Sequence, residues 1–127
     1  MELPLNDTAM LSSFSFSEDT VGFLLEGTFG EETVQQLHDQ IREKLQVYDT
    51  INLYLEDSRI ETFSLTAVIE NLFFKLEHKG QFNKVALVSD RKWIHLCGKI
   101  EKMLADINVK SFVSEDRMEA ITWIAER

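Results

Sequence analysis

The side chains that could do chemistry are few and scattered along the chain. Cys97 is the only cysteine, and it lies on the buried stripe of a predicted helix, where a thiol is usually a small packing residue. His38, His78 and His95 lie on three different predicted helices and form no HExxH pair, so they do not make a metal-ligand motif. The sequence has no Gly-x-Ser-x-Gly turn and no Gly-rich phosphate loop. These patterns predict neither a cofactor nor a metal site.

Two carboxylates, Asp57 and Asp90, follow predicted strands at the edge where open α/β sheets bind ligands. They suggest either an enzyme that uses a bound metal ion or a receiver domain in which Asp57 accepts a phosphoryl group. A receiver also needs an acidic pair after its first strand and a lysine after its last, where this chain has Ser17 and Ser114. The enzyme reading therefore rests on position alone, and we expect a protein without enzymatic activity.

Strands and helices alternate along the chain and must position these side chains. Apolar alternation predicts an edge strand and then four further strands, and periods of three and four residues predict four helices. Asp90 is predicted to cap the third helix, and Ser64 the second. The predicted strands cover residues 10–16, 20–29, 51–55, 84–89 and 108–113. The first, second and fourth predicted helices cover residues 31–47, 65–79 and 115–126, and the third follows Asp90.

This order predicts an α/β fold with a five-stranded, mostly parallel mixed sheet, an antiparallel N-terminal hairpin strand and four helices. With 127 residues the chain is predicted to form a single domain over residues 1–127. The net charge of -9 argues against nucleic acid as a partner. No apolar run approaches the roughly 20 residues of a membrane span, and one cysteine suits a reducing compartment. We expect a cytoplasmic protein.

Two features exceed what a plain globular domain needs. Residues 75–102 contain seven basic and three acidic residues, a charge of +4 that leaves -13 on the remainder. On the helix over 65–79, Phe74 points away from the stripe predicted to face inward, which consists of Leu65, Val68, Ile69, Leu72 and Leu76. Phe74 either covers a neighbouring helix, which is the commoner outcome, or joins Lys75 and Lys79 in a surface that contacts anionic lipid headgroups. The predicted ligand or membrane patch is Phe73, Phe74, Lys75, Lys79, Arg91, Lys92, Trp93 and Ile94.

Four segments carry a family resemblance: FSLTA at 63–67, NLFFKL at 71–76, KVALVSDRKW at 84–93 and EAITWI at 119–124. Together they resemble the SpoIIAA-like family over roughly residues 10–127. The resemblance implies a STAS-type fold, related in architecture to anti-sigma-factor antagonists and to CRAL-TRIO lipid carriers. It also implies a homodimer as an expectation for the family.

The chain departs from the antagonists at their phosphorylated serine, which stands in an Asp-Ser-Ser/Thr-Gly motif. Ser64 occupies the equivalent place, but the aspartate and the glycine are absent. We favour Ser64 as a helix cap and retain it as a candidate phosphosite.

Two functional hypotheses follow from these observations. The first is a non-enzymatic domain that binds an apolar small molecule or lipid between its second and third helices and associates peripherally with an anionic inner-membrane surface. The alternative is a protein-protein regulatory module that phosphorylation controls and that acts on a regulatory protein partner.

Overall fold

The computed structural model describes residues 10–14, as backbone, and residues 18–126. Strands and helices alternate after the second strand, and each predicted helix is found with small shifts at its ends. A short 3₁₀ turn, Ser114–Asp116, precedes the last helix. The elements are β1 Met10–Phe14, β2 Thr20–Phe29, α1 Glu31–Leu45, β3 Ile51–Phe63, α2 Leu65–Glu77, β4 Phe82–Val88, α3 Lys92–Ala105, β5 Val109–Phe112 and α4 Arg117–Ala125.

The strands form one sheet in the order β1-β2-β3-β4-β5. The strands from β2 to β5 are parallel, and β1 pairs antiparallel with β2, with Met10 opposite Glu26 and Phe14 opposite Gly22. The predicted α/β class, with four helices and four parallel strands, is confirmed. Residues 15–17 lie outside the described residues, so the hairpin turn and the end of the predicted edge strand stay predictions.

The helices cover the two faces of the sheet unequally. Right-handed crossovers between strands that follow one another in the same direction place successive helices on one face. Side chains of α1, α2 and α3 accordingly share the larger core cluster with β2, β3 and β4. The core cluster on the other face of the sheet is smaller. There Ala120 and Ile124 of α4 cover Tyr54, Ala86 and Val88.

β3 is longer than the strand predicted over residues 51–55, because residues 56–63 continue it. The reason is β2, which runs past the end of β4 and keeps pairing with β3 up to Phe29 opposite Phe63. Register shifts after Leu25 and Gly27 interrupt this pairing. Asp57 Oδ1 accepts a hydrogen bond from the Ile60 backbone amide at 2.8 Å and supports the irregular stretch.

The predicted cap of α2 by Ser64 is present, and the predicted cap of α3 by Asp90 is absent from the described structure. Ser64 has extended backbone angles, and its Oγ accepts a hydrogen bond from the Ala67 amide at 3.3 Å. Arg91, rather than Asp90, is the residue before α3. Asp90 Oδ1 accepts instead from the Ser114 amide at 2.9 Å, so it joins the ends of β4 and β5. No helix in the described ranges is both long and apolar enough to span a membrane.

Candidate functional site

An apolar cavity of about 270 Å³ lies between α2 and α3, above the sheet. Its floor includes Leu25, Leu55 and Leu87 from three neighbouring strands. The α2 wall carries Leu65, Val68, Ile69 and Leu72, and the α3 wall carries Trp93, Ile94, Cys97 and Ile100. The cavity therefore occupies the gap where two packed helices would normally meet.

The apolar stripe of α2 faces this cavity. The sequence predicted a stripe that enters a filled core, but Leu65 is 66% exposed and Ile69 is 42% exposed. Both residues point towards α3 across open space, so their apolar surface stays accessible. The predicted direction of the stripe is correct for these residues, while their predicted burial is wrong.

A buried ion pair joins the two walls. Lys75 Nζ on α2 donates to both carboxylate oxygens of Glu101 on α3, each at 2.9 Å. The two side chains are 0% and 4% exposed, and both line the cavity. The prediction that Lys75 contacts a membrane is wrong, because Glu101, 26 residues further on, holds its ammonium group inside the protein.

Phe74 also lies inside the protein, at the α1–α2 interface. It is 3% exposed, and its ring stacks on His38 with centroids 3.8 Å apart. The ring centroid of His78 lies 4.1 Å from that of Phe74, and the Arg42 guanidinium lies 5.0 Å from the Phe74 centroid. Of the two alternatives for Phe74, cover of a neighbouring helix is therefore correct and the lipid contact is wrong, because α1 supplies a core for the ring.

His38 fixes α2 on α1 through a second contact. Its Nε2 donates to Asn71 Oδ1 at 3.0 Å. Burial is the main cause that lowers the pKa of His38 to about 4, although the hydrogen bond to Asn71 acts in the opposite direction. The imidazole is therefore neutral at pH 7, and α2 is anchored by an uncharged ring.

The other predicted patch residues do not form one continuous surface. Trp93 and Ile94 border the cavity, and Trp93 stacks on Phe63 with centroids 4.2 Å apart. Phe73 is 57% exposed on α2, and Lys79 and Lys92 are also exposed. The structure thus divides the eight residues between the cavity, the α1–α2 interface and the outer surface.

A polar network holds the carboxyl ends of β3 and β4. Asp57 Oδ2 accepts from Ser89 Oγ and from Arg91 Nε, each at 2.8 Å. Arg91 also donates to the Ile60 carbonyl. Asp57 lines the cavity with its oxygens already engaged, and Asp90 bonds elsewhere. Among residues 10–14 and 18–126, no three His, Cys, Asp or Glu side chains group as a metal site would require.

Cys97 is the one nucleophile on the cavity wall within the described part of the chain. Burial raises the pKa of the Cys97 thiol, and Glu101 raises it further. The thiol is therefore less reactive than a free cysteine at neutral pH. Its chemistry suits an apolar wall better than a catalytic nucleophile.

Sequence reasoning placed an apolar ligand between the second and third helices, where the cavity lies, but missed the role of Glu101. A signal for Glu101 was present, since it falls one turn after Cys97 on a predicted buried stripe. A carboxylate there requires a buried cation. The prediction of a ligand there came from the family resemblance, Phe74 and the basic segment, because apolar stripes alone look alike whether they meet a partner or face an opening.

The element order and the sheet define a small α/β domain with the STAS-type fold. The model of the SpoIIAA-like family matches residues 20–125, and the chain belongs to that family. None of the curated proteins compared with the chain matches it.

Solved structures share this fold. A protein of the DUF3478 family from Shewanella loihica PV-4, described as having a SpoIIAA-like fold, is 20% identical with a TM-score of 0.72, over 98% of this chain and 99% of that one. Phosphorylated SpoIIAA, a Bacillus cell fate determinant, is 13% identical with a TM-score of 0.57, over 88% and 99%. The unphosphorylated anti-sigma factor antagonist SpoIIAA is 12% identical with a TM-score of 0.57, over 92% and 100%.

Proposed function

We propose that this SpoIIAA-like domain is a non-enzymatic binding module that holds a small apolar ligand between α2 and α3. The observation that carries the proposal is the open apolar cavity of about 270 Å³. An apolar cavity of about 150 Å³ suffices for benzene. This cavity therefore suits a two-ring aromatic or a short alkyl chain, and a complete phospholipid exceeds it.

The polar groups on the wall indicate that the bound part of the ligand is uncharged. Lys75 and Glu101 neutralise each other, and Asp57 accepts from Ser89 and Arg91. A carboxylate or an amine placed in the cavity would lose its hydration without gaining a free counter-ion there. A neutral apolar group loses only unfavourable contact with water.

Peripheral membrane association has less support than ligand binding. Phe73 is exposed on α2 outside the cavity, whereas the exposed residues Leu65 and Ile69 line the cavity. The two residues at the centre of the predicted membrane patch, Phe74 and Lys75, are buried. We therefore confine the proposal to the cavity.

The test is titration with 6-propionyl-2-(dimethylamino)naphthalene, a neutral two-ring aromatic probe whose fluorescence shifts in apolar surroundings. Val68→Phe fills the cavity from α2, and Thr66→Phe adds the same ring at an exposed position of the same helix. We expect binding by the wild type and by Thr66→Phe, with a dissociation constant at least ~10-fold weaker for Val68→Phe, equivalent to about 1.4 kcal/mol. Equal binding by all three proteins, or no binding by the wild type, would contradict the proposal.

A second candidate function is regulation by phosphorylation of Ser64. The observation in its favour is position: Ser64 is only partly buried and directly precedes Leu65, which lines the cavity. A phosphate there would meet the free amides of the α2 N-terminus and replace the present cap. Mass spectrometry of the protein from its native cells tests this, and Ser64 unmodified under all growth conditions would count against it.

A further inference from the structure

The cavity wall carries three side chains with strong hydrogen-bonding groups on its two helices: Asn71 and Lys75 on α2 and Glu101 on α3. Asn71 and Lys75 are four residues apart, so they are neighbours on one face of α2. Lys75 in turn bonds to Glu101 on the opposite wall. The three side chains therefore lie together on one part of a mostly apolar wall.

Lys75 keeps one hydrogen-bond donor that no described protein group accepts. An ammonium group has three N–H donors, and Nζ uses two of them on Oε1 and Oε2 of Glu101. Residues 10–14 and 18–126 supply no further acceptor for this nitrogen. The Lys75 side chain is 0% exposed, and a buried donor that makes no bond is costly. Its third N–H can therefore bind an acceptor on a molecule in the cavity.

Asn71 supplies a second unused donor beside Lys75. Its Oδ1 accepts a hydrogen bond from His38 Nε2 at 3.0 Å, which fixes the orientation of the amide group. Its Nδ2 has two N–H donors and, in the described part of the chain, no acceptor. Glu101 differs, because each of its oxygens already accepts from Lys75. This part of the wall therefore has donors to spare and no acceptor for them.

We infer that the ligand in the cavity carries a neutral carbonyl oxygen that accepts hydrogen bonds from Lys75 and Asn71, an inference that rests on the proposed function. A carbonyl oxygen has two lone pairs and can accept from both side chains. A carboxylate would also accept, but Glu101 already neutralises Lys75, so a second negative charge would be buried without a counter-ion. A pure hydrocarbon would leave the Lys75 donor unpaired. The ligand class is thus an apolar ketone, ester or amide whose bound part fits about 270 Å³.

The test compares two ligands of the same shape by equilibrium dialysis. One is the ketone 2-acetylnaphthalene, and the other is 2-isopropenylnaphthalene, in which a CH₂ group replaces the carbonyl oxygen. Lys75→Met with Glu101→Leu removes the donor together with its counter-ion and keeps side chains of similar size. We measure the dissociation constant of the alkene divided by that of the ketone, because a change in cavity shape affects both ligands alike. This ratio should be at least ~10-fold larger for the wild type than for the double variant, since the ketone then loses a hydrogen bond to a charged group.

The matched control is Glu77→Leu with Lys79→Met, which makes the same changes of residue type at exposed positions outside the cavity. It should keep the wild-type ratio. A second measurement needs no variant: the ketone is labelled with ¹³C at its carbonyl and observed by NMR while bound to the wild type. Its carbonyl resonance should lie downfield of its position in cyclohexane, because a donor contacts the oxygen.

The outcomes separate this inference from the proposed function. Binding of both naphthalenes with equal ratios in the wild type and in the Lys75→Met, Glu101→Leu variant would overturn the inference and leave the proposed function standing. A bound carbonyl resonance at its cyclohexane position would do the same. Tighter binding of 2-naphthoate than of the ketone would overturn the inference, because the preferred ligand would then be an anion. Binding of neither naphthalene by the wild type would overturn the inference and the proposed function together.

Discussion

Lys75 and Glu101 connect α2 to α3 from inside the protein, so each side chain depends on the other. Removing one partner leaves a charge in an apolar surrounding, while removing both leaves only a change of packing. We expect Lys75→Met to lower the free energy of unfolding by about 3–5 kcal/mol. The double variant Lys75→Met with Glu101→Leu should recover most of that loss in urea unfolding. A double variant as unstable as the single one would show that the pair contributes more than mutual neutralisation.

His38 gives the fold a specific acid sensitivity. Its pKa is about 4 in the folded protein and near 6.5 in the unfolded chain, so the unfolded state binds more protons between these values. Stability should therefore fall as the pH drops from about 6.5 to 4, by up to about 3 kcal/mol from this residue. His38→Gln keeps a neutral hydrogen-bonding group, so its unfolding free energy should change less over that range. Identical pH profiles of the two proteins in urea unfolding would contradict this assignment.

Phe73 and Phe74 show what the sequence could not reveal about single residues. Both are aromatic and adjacent, yet one is 57% exposed and the other 3% exposed. Helical periodicity correctly placed the two residues on different sides of α2. Which of the two is buried depends on α1, because α1 packs against the side that carries Phe74. His38 and Arg42, more than 30 residues earlier, supply the surface against which Phe74 packs.

At the level of the elements, Gly98 sets how closely α3 approaches the sheet. A Cβ at this position would lie 2.8 Å from Leu87 Cδ1 and 3.0 Å from Ser111 Oγ. The absent side chain lets α3 lie against β4 and β5.

We expect Gly98→Ala to destabilise the protein by about 1–3 kcal/mol through overpacking. The effect should appear even though alanine favours a helix over glycine by about 1 kcal/mol. Lys102→Ala, at an exposed position of the same helix, is the control and should change the unfolding free energy little. A more stable Gly98→Ala protein would show that the sheet relaxes to admit the methyl group.

Local sequence patterns predicted the bounds of the elements better than the contacts between the elements. The bounds of β2 and the starts of α1 and α2 match the structure, because turn residues and caps define them within a few positions. The length of β3 depended on continued pairing with β2, and the cavity depended on the separation of two helices. Both are set by contacts between distant parts of the chain, which periodicity does not record.

For the whole molecule, the alternation of strands and helices was sufficient to predict the α/β class and the parallel strands. The segregation of charge was also visible in the sequence. The function of that segregation was not visible, because Lys75 is neutralised inside the protein while Lys92 and Lys99 are exposed on α3. The basic segment is therefore a smaller external feature than its composition indicates.

The strand order has a consequence for how the protein forms during synthesis. Each strand of the sheet lies beside the strand that precedes it in the chain, so every new strand and helix can dock on a surface that has already left the ribosome. None of the five strands that the structure describes has to wait for a distant partner or insert between two others. The nascent chain can therefore grow its sheet from one edge to the other, and the space between α2 and α3 first exists when the fourth strand and its helix have docked.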